Sequence, residues 1–283
     1  MKSMKWFSLA ALCVGGAIVV FSACQKSSSS AGSSVPANQQ KFNMYLTDGP
    51  VNFQQVNIDI ESIAVEVEAD SCVNSGVWGN RDNDDTACFH WDSLNITPGV
   101  YNILNFKNGI DTLFSATNIP KGKILKIRFK LGTDNSVMAD SVLFKLDLFW
   151  GNTFTIDVDD CQQLDENTLG LWVDFDAAHS IIEVAHQHFA LRPVIRLFTK
   201  ANSGAVEGAV LPGAADPFVS VVSGTDTLIA LPEWNGRWEI RGIKTSTVDV
   251  NFYATANGYK DTTISNVTID PGKTVNLGTV YLH

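Results

Sequence analysis

The chain reads as an all-β protein in which two β-sandwich domains follow an export signal and a flexible tether. Three observations predict this. Short runs alternate apolar and polar residues with a period of two. Turn-forming clusters such as Asp48-Gly49-Pro50, Pro98-Gly99 and Pro120-Lys121-Gly122 separate them, and no long stretch keeps a 3.6-residue period.

The order of elements starts at the N-terminus. Lys2 and Lys5 precede an apolar run from Trp6 to Val20, which leads into Phe21-Ser22-Ala23-Cys24. The run is shorter than the roughly 20 apolar residues of a membrane-spanning helix. Small residues immediately before a cysteine mark a lipoprotein signal over residues 1–23, cleaved so that Cys24 becomes the first residue and carries lipid, palmitate included. Phe21 departs from the leucine commoner at its position. Residues 24–40 are polar and small, interrupted by Pro36, and read as a tether. The protein is therefore expected in the cell envelope as an outer-membrane lipoprotein. Gln25-Lys26 carries no acidic surface-export signal, so the surface and periplasmic faces both stand.

A first domain is expected over residues 41–201. Phe42, Met44 and Leu46 alternate with polar neighbours, as do Val56, Ile58 and Ile60. Ile63, Val65 and Val67 fall on the opposite parity, so a bulge or bend at Glu61-Ser62 is needed to bring all six to one core. Leu125, Ile127, Phe129 and Leu131 interleave with Lys126, Arg128 and Lys130, giving one buried and one basic face. Val142, Phe144 and Leu146 form another strand. Asp176 to Val184 is the one helical candidate, with Asp176 capping the amide of Ala178 or His179. From residue 202 to 283 seven short strands are expected: Val206–Leu211, Phe218–Val222, Thr227–Leu231, Arg237–Ile243, Val248–Ala254, Thr262–Val267 and Val275–Leu282. That number suits a compact sandwich.

The 283 residues include 20 basic and 30 acidic ones, a formal charge of -10. Cleavage before Cys24 would remove Lys2 and Lys5 and leave about -12. Such a surface repels nucleic acid and anionic lipid headgroups, so the membrane is met through the lipid anchor. With Cys24 lipidated, Cys72, Cys88 and Cys161 remain. Cys72 and Cys88 share one polar segment, and in an oxidising compartment a disulfide between them is expected. Cys161 stands as an alternative partner for either.

Two stretches carry family resemblances. MYLTDGP (residues 44–50) with VNIDI (56–60), IPKGK (119–123) with IRF (127–129), and LWVDFDAAHSII (171–182) with FALRPVIR (189–196) together resemble the bacterial domain of unknown function 4382. The resemblance implies a β-rich exported domain and imports no activity. The segments holding Cys72, Cys88 and Cys161 depart from that pattern. GAVEGAV (204–210), NGRWEI (235–240) and PGKTVNLG (271–278) resemble a carboxypeptidase regulatory-like domain, a transthyretin-type sandwich that usually spaces or supports another unit.

Catalytic motifs are missing: there is no HExxH, G-x-S-x-G or phosphate loop. His186 and His188 would share a strand face and, with His179 or His90, supply zinc ligands; solvent-facing histidines near a loop are the plainer reading. Asp82, Asp84, Asp157 and Asp159 offer hard oxygen ligands for calcium but lack the glycine and bidentate glutamate of an EF-hand, so solvated acidic loops are the default. No other cofactor is expected. Asp174 and Asp176 lie two apart on one strand face, about 6.5 to 7 Å, a spacing seen in some glycosidases. A helix cap and a partner for Arg192 or Arg196 explains them better.

Asp followed by Ser or Thr and a small or apolar residue recurs at Thr86, Ser93, Thr112, Ser141, Thr227 and Thr262, against about one or two occurrences by chance. The pattern resembles a bacterial O-glycan acceptor motif. Strands that open with Asp-Ser or Asp-Thr after a turn would produce it equally. Trp78, Trp91, Trp150 and Trp234, near polar loops, are the candidate platforms for a glycan or protein ligand. The expected function is a non-enzymatic binding or adhesion module on a lipid tether, with a structural accessory of an envelope complex as the alternative and a hydrolase as a remote one.

Overall fold

The structure is a computed structural model and describes residues 35–49, 53–70 and 88–283. Its first part holds β1 (Gln39–Gly49), β2 (Gln55–Ala69), β3 (Phe89–Ser93), β4 (Gly99–Asn102), β5 (Thr112–Pro120), β6 (Gly122–Leu131), β7 (Ser136–Ala139), β8 (Val142–Asp147), β9 (Thr153–Asp157), β10 (Gln162–Asp165) and β11 (Thr168–Asp176). A one-turn helix, α1 (Ala177–Ser180), then leads to β12 (Ile181–Ala185), β13 (His188–Leu191) and β14 (Ile195–Phe198). A five-stranded sheet has the order β10-β11-β1-β5 with β14 also on β11. A nine-stranded sheet has the order β12-β13-β8-β7-β2-β6-β9, with β3 and β4 on β2. Phe42, Met44, Leu171 and Val173 from one sheet and Ile58, Val65, Ile127 and Phe129 from the other close a common core.

The parity change in β2 has the expected cause. Ile60 pairs with Leu131 and Ser62 with Lys130, so Glu61 is an extra residue, and Val56, Ile58, Ile60, Ile63, Val65 and Val67 are all buried. A second bulge escaped the sequence. Glu66 pairs with Lys126 but Val67 with Ile124, which leaves Leu125 out of the ladder. Ile124 is buried in its place and Leu125 is only half-buried, correcting the expected alternation. Val142 is likewise 51 % exposed, because β8 begins at the Asp140-Ser141 hairpin turn, beyond the reach of the core. The helix is shorter than expected: Asp176 caps His179 as predicted, but Ile181 to Glu183 pair with β13 as part of strand β12, with Val184 at a bulge.

The basic face of β6 is answered across the ladder. Lys126 lies 3.6 Å from Glu66, Lys130 lies 2.7 Å from Glu61, and the Arg128 guanidinium sits 3.6 Å above the Trp91 ring.

After residue 203 come β15 (Gly204–Leu211), β16 (Pro217–Ser223), β17 (Asp226–Ala230), β18 (Arg237–Ile243), β19 (Thr247–Ala254), β20 (Thr262–Thr268) and β21 (Thr274–Tyr281). Each expected strand appears with its ends within two residues. They form sheets β18-β15-β21 and β17-β16-β19-β20 around a separate core that includes Val206, Val219, Trp238, Val250 and Phe252. The edge strands β20 and β21 contain no charged residue, and each is kinked by a bulge, at Asn266 (φ 60) and Gly278 (φ 69). Residues 35–283 make one compact unit.

Candidate functional site at the seam between the sandwiches

β11 alternates Leu171, Val173 and Phe175 toward the core with Trp172, Asp174 and Asp176 on the other face, yet all six are buried. The second sandwich covers that outer face. There Tyr45, Trp172 and Phe198 stack across three strands, with ring centroids 4.7 and 6.4 Å apart. One row along, Arg196 on β14 reaches Asp174 Oδ2 from Nε at 3.0 Å and Nη2 at 2.7 Å, and Asp176 Oδ2 from Nη1 at 2.6 Å. Burial works against the Arg196 charge, but the two carboxylates outweigh it and hold the guanidinium above its usual range. Asp176 also accepts from the His179 amide at 3.1 Å and lies 2.6 Å from His179 Nδ1. Its carboxylate thus serves as helix cap and as ion partner at once.

A second ion network joins the two sandwiches. Asp111, just before β5, meets Lys200 Nζ at 2.6 Å and Arg241 Nη1 at 2.5 Å, while Arg241 Nε reaches Glu239 at 2.6 Å. Gly109 holds a positive φ of 80, which strains any other residue, and a Cβ there would lie 1.9 Å from Glu239 Oε2 and push that carboxylate aside. Beside the network opens a groove of about 450 Å³, walled by Val194 to Phe198 on one side and by the Ser223–Asp226 hairpin with Lys244 and Thr245 on the other.

The structure disposes the candidate residues unequally. Asp174 and Asp176 come together around one guanidinium, with Arg196 rather than Arg192 as partner, an arrangement suited to structure rather than proton transfer. Asp157 and Asp159 lie on a lip of the groove. Among the described residues no three His, Cys, Asp or Glu side chains assemble into a metal-binding group. His90, His179, His186 and His188 are exposed on β3, α1, the β12–β13 turn and β13. Trp91 is half-buried beneath Arg128, whereas Trp150 is 58 % and Trp234 95 % exposed. Thr112, Thr227 and Thr262 stand at the starts of β5, β17 and β20, Ser141 stands in the turn before β8, and Ser93 ends β3. Cys24, Cys72, Trp78, Asp82, Asp84 and Thr86 lie outside the described residues.

Cys161 is a free thiol packed against the first core, and burial, with Asp160 adding to it, pushes its pKa from 9.0 up to about 12. Unfolding lets this thiol ionise near 9, while the folded protein keeps the proton until about 12. Its contribution to stability is therefore complete below pH 9 and lost as pH rises toward 12. The urea midpoint should hold from about pH 7 to 8.5 and fall between about pH 9 and 11, with a shallower fall in Cys161→Ala.

The fold and the seam define a protein built from two β-sandwiches, whose paired carboxylates are committed to an ion network. The chain belongs to the family described as Domain of unknown function (DUF4382), which matches residues 39–193. No catalytic family is indicated. Among solved structures, similar ones include the Bacillus anthracis TIE protein (8 % identity, TM-score 0.20, covering 87 % of this chain and 34 % of that one). Others are the shaft pilin spaA from Lactobacillus rhamnosus GG (7 %, 0.21, 86 % and 97 %) and GBS52, the minor pilin of Streptococcus agalactiae (10 %, 0.20, 85 % and 95 %). The chain thus spans about a third of the TIE protein's length, and likenesses this slight carry no functional argument. No curated protein matches in sequence. Among the described residues no helix is long and apolar enough to cross a membrane.

The sequence reading missed the seam itself, namely Asp111, Glu239, Arg241 and the aromatic stack. Its one linear signal was Trp172, a large aromatic on the face of β11 that carries the aspartates.

Proposed function

We propose that this protein is a lipid-anchored envelope protein, held by Cys24, that works as a non-enzymatic binding or adhesion module for a glycan or protein ligand. The observation that carries it is Trp234, almost wholly in solvent at a turn fastened by Gly236 N–H to Glu233 O (2.8 Å), Glu233 N–H to Arg237 O (2.8 Å) and Arg237 N–H to Asn235 Oδ1 (2.9 Å). A rigid aromatic face offers contact area at little entropic cost. Phe149 and Trp150, 63 % and 58 % exposed, form a second such platform. The Cys72–Cys88 disulfide belongs to the same reading. The thiolate needed for exchange is scarce at the buried Cys161, which argues against the alternative pairings. Calcium on the acidic loops, O-glycans at the six Ser and Thr sites and a regulatory-like role for residues 202–283 are attached to it as secondary proposals.

The test is a glycan array and an extracellular-matrix protein panel probed with the full chain. Trp234→Ala and Trp150→Ala should lower binding about tenfold or more while changing stability by no more than about 0.5 kcal/mol. Unchanged binding in both variants would reject the platforms. An accessory role, docking a partner strand, is the second reading, favoured by the open edge of β14.

A further inference from the structure

We propose that the free edge of β14 is a docking strand for an extended peptide bearing basic side chains, taken up by strand addition in the seam groove. In an antiparallel ladder the backbone groups of successive residues turn alternately to the two sides. Val194 O accepts from Asp176 N–H at 2.9 Å, and Arg196 and Phe198 stand opposite Asp174 and Trp172, so these three face β11. Ile195 and Leu197 therefore turn their N–H and C=O groups the other way, where no further strand pairs with β14 among the described residues. All five residues from Val194 to Phe198 line the groove, so that open edge is its wall.

A volume of about 450 Å³ falls within the size of ligand clefts, and the four residues of β14 span about 13 Å, enough for a short extended segment. Main-chain bonds to Ile195 and Leu197 would supply affinity, and the lips would supply selectivity. Asp157 and Asp159 on one lip and Asp226 on the other are exposed and enter no ion pair among the described residues. Arg196 and Arg241 are already taken up by carboxylates, and Lys244 alone opposes the three acids. The slot thus favours lysine or arginine at positions flanking the docked backbone, in a chain whose net charge of -10 draws cations as a whole. This site is independent of the tryptophan platforms.

The probe is an end-blocked, fluorescein-labelled peptide alternating lysine and valine, titrated by anisotropy with the full chain in detergent. Saturable binding is expected, weakened at least about tenfold by N-methylating two alternate peptide nitrogens, which removes main-chain donors without touching the protein. The triple variant Asp157→Asn, Asp159→Asn, Asp226→Asn should weaken it similarly and flatten its salt dependence, while Trp150→Ala and Trp234→Ala leave it unchanged. No saturable binding, equal binding of the glutamate–valine counterpart, or full affinity after N-methylation would overturn the proposal.

Discussion

Deleting Glu61 abolishes cooperative folding of the first sandwich, on the physics of β2. This strand keeps six side chains in the core across a change of parity because one residue is surplus to the ladder at that point. Without it, every side chain beyond Ile60 moves to the opposite face. Ile63, Val65 and Val67, now at 0–1 % exposure, would meet water while Ala64, Glu66 and Glu68 turned inward. Burying each of the three apolar side chains stabilises the fold by about 1.5–3 kcal/mol, so their joint loss approaches the roughly 5–15 kcal/mol that a whole domain possesses. Two buried glutamates add a further cost. Near-UV circular dichroism and a urea titration decide the matter: the deletion should show no native aromatic signal and no sharp transition. Glu61→Ala, which keeps the bulge, should unfold close to the unaltered protein. A deletion variant with a normal transition would mean that the register slips elsewhere in β2.

Arg196→Met should destabilise the protein by about 3–5 kcal/mol, the range for removing one partner of a buried ion cluster. The guanidinium is 17 % exposed and makes three contacts to Asp174 and Asp176, whose side chains are 12 % and 4 % exposed. Methionine fills much of the space but leaves the two carboxylates without their cation. The deficit is the difference in urea midpoint between variant and unaltered protein, and Arg196→Lys, which returns a cation to the two carboxylates, should recover part of it. Asp111→Asn, acting on the more exposed pair with Lys200 (47 % exposed), should cost far less. An Arg196→Lys variant no more stable than Arg196→Met would show that packing, not charge, is what Arg196 contributes.

These two residues also mark how far the sequence could be read. The bulge at Glu61 was legible because it left a trace in the pattern, three apolar residues on the wrong parity. The bulge at Leu125 was not, because Leu125 itself keeps the period of two with Ile127 and Phe129, so the pattern called for no residue of the other parity. Asp176 was legible as a cap because its partner amide lies three residues away in sequence. The choice of Arg196 over Arg192 depended on which strand β14 would join. The groove and the open edge of β14 were illegible for the same reason: they arise from sheet order and from packing between segments separated by tens of residues. The seven strands after residue 203 were placed well because each is bounded by its own turn residues.

The lateral edges of the second sandwich lack the lysines by which most proteins keep sheet edges from pairing with strangers. What replaces them is shape: Asn266 and Gly278 bend β20 and β21 so that a flat incoming strand cannot stay in step along either. Electrostatic deterrence fades as ions accumulate. A kink fixed by backbone torsion does not, so this flank should keep its solitude in brine, where a defence made of charge would lapse.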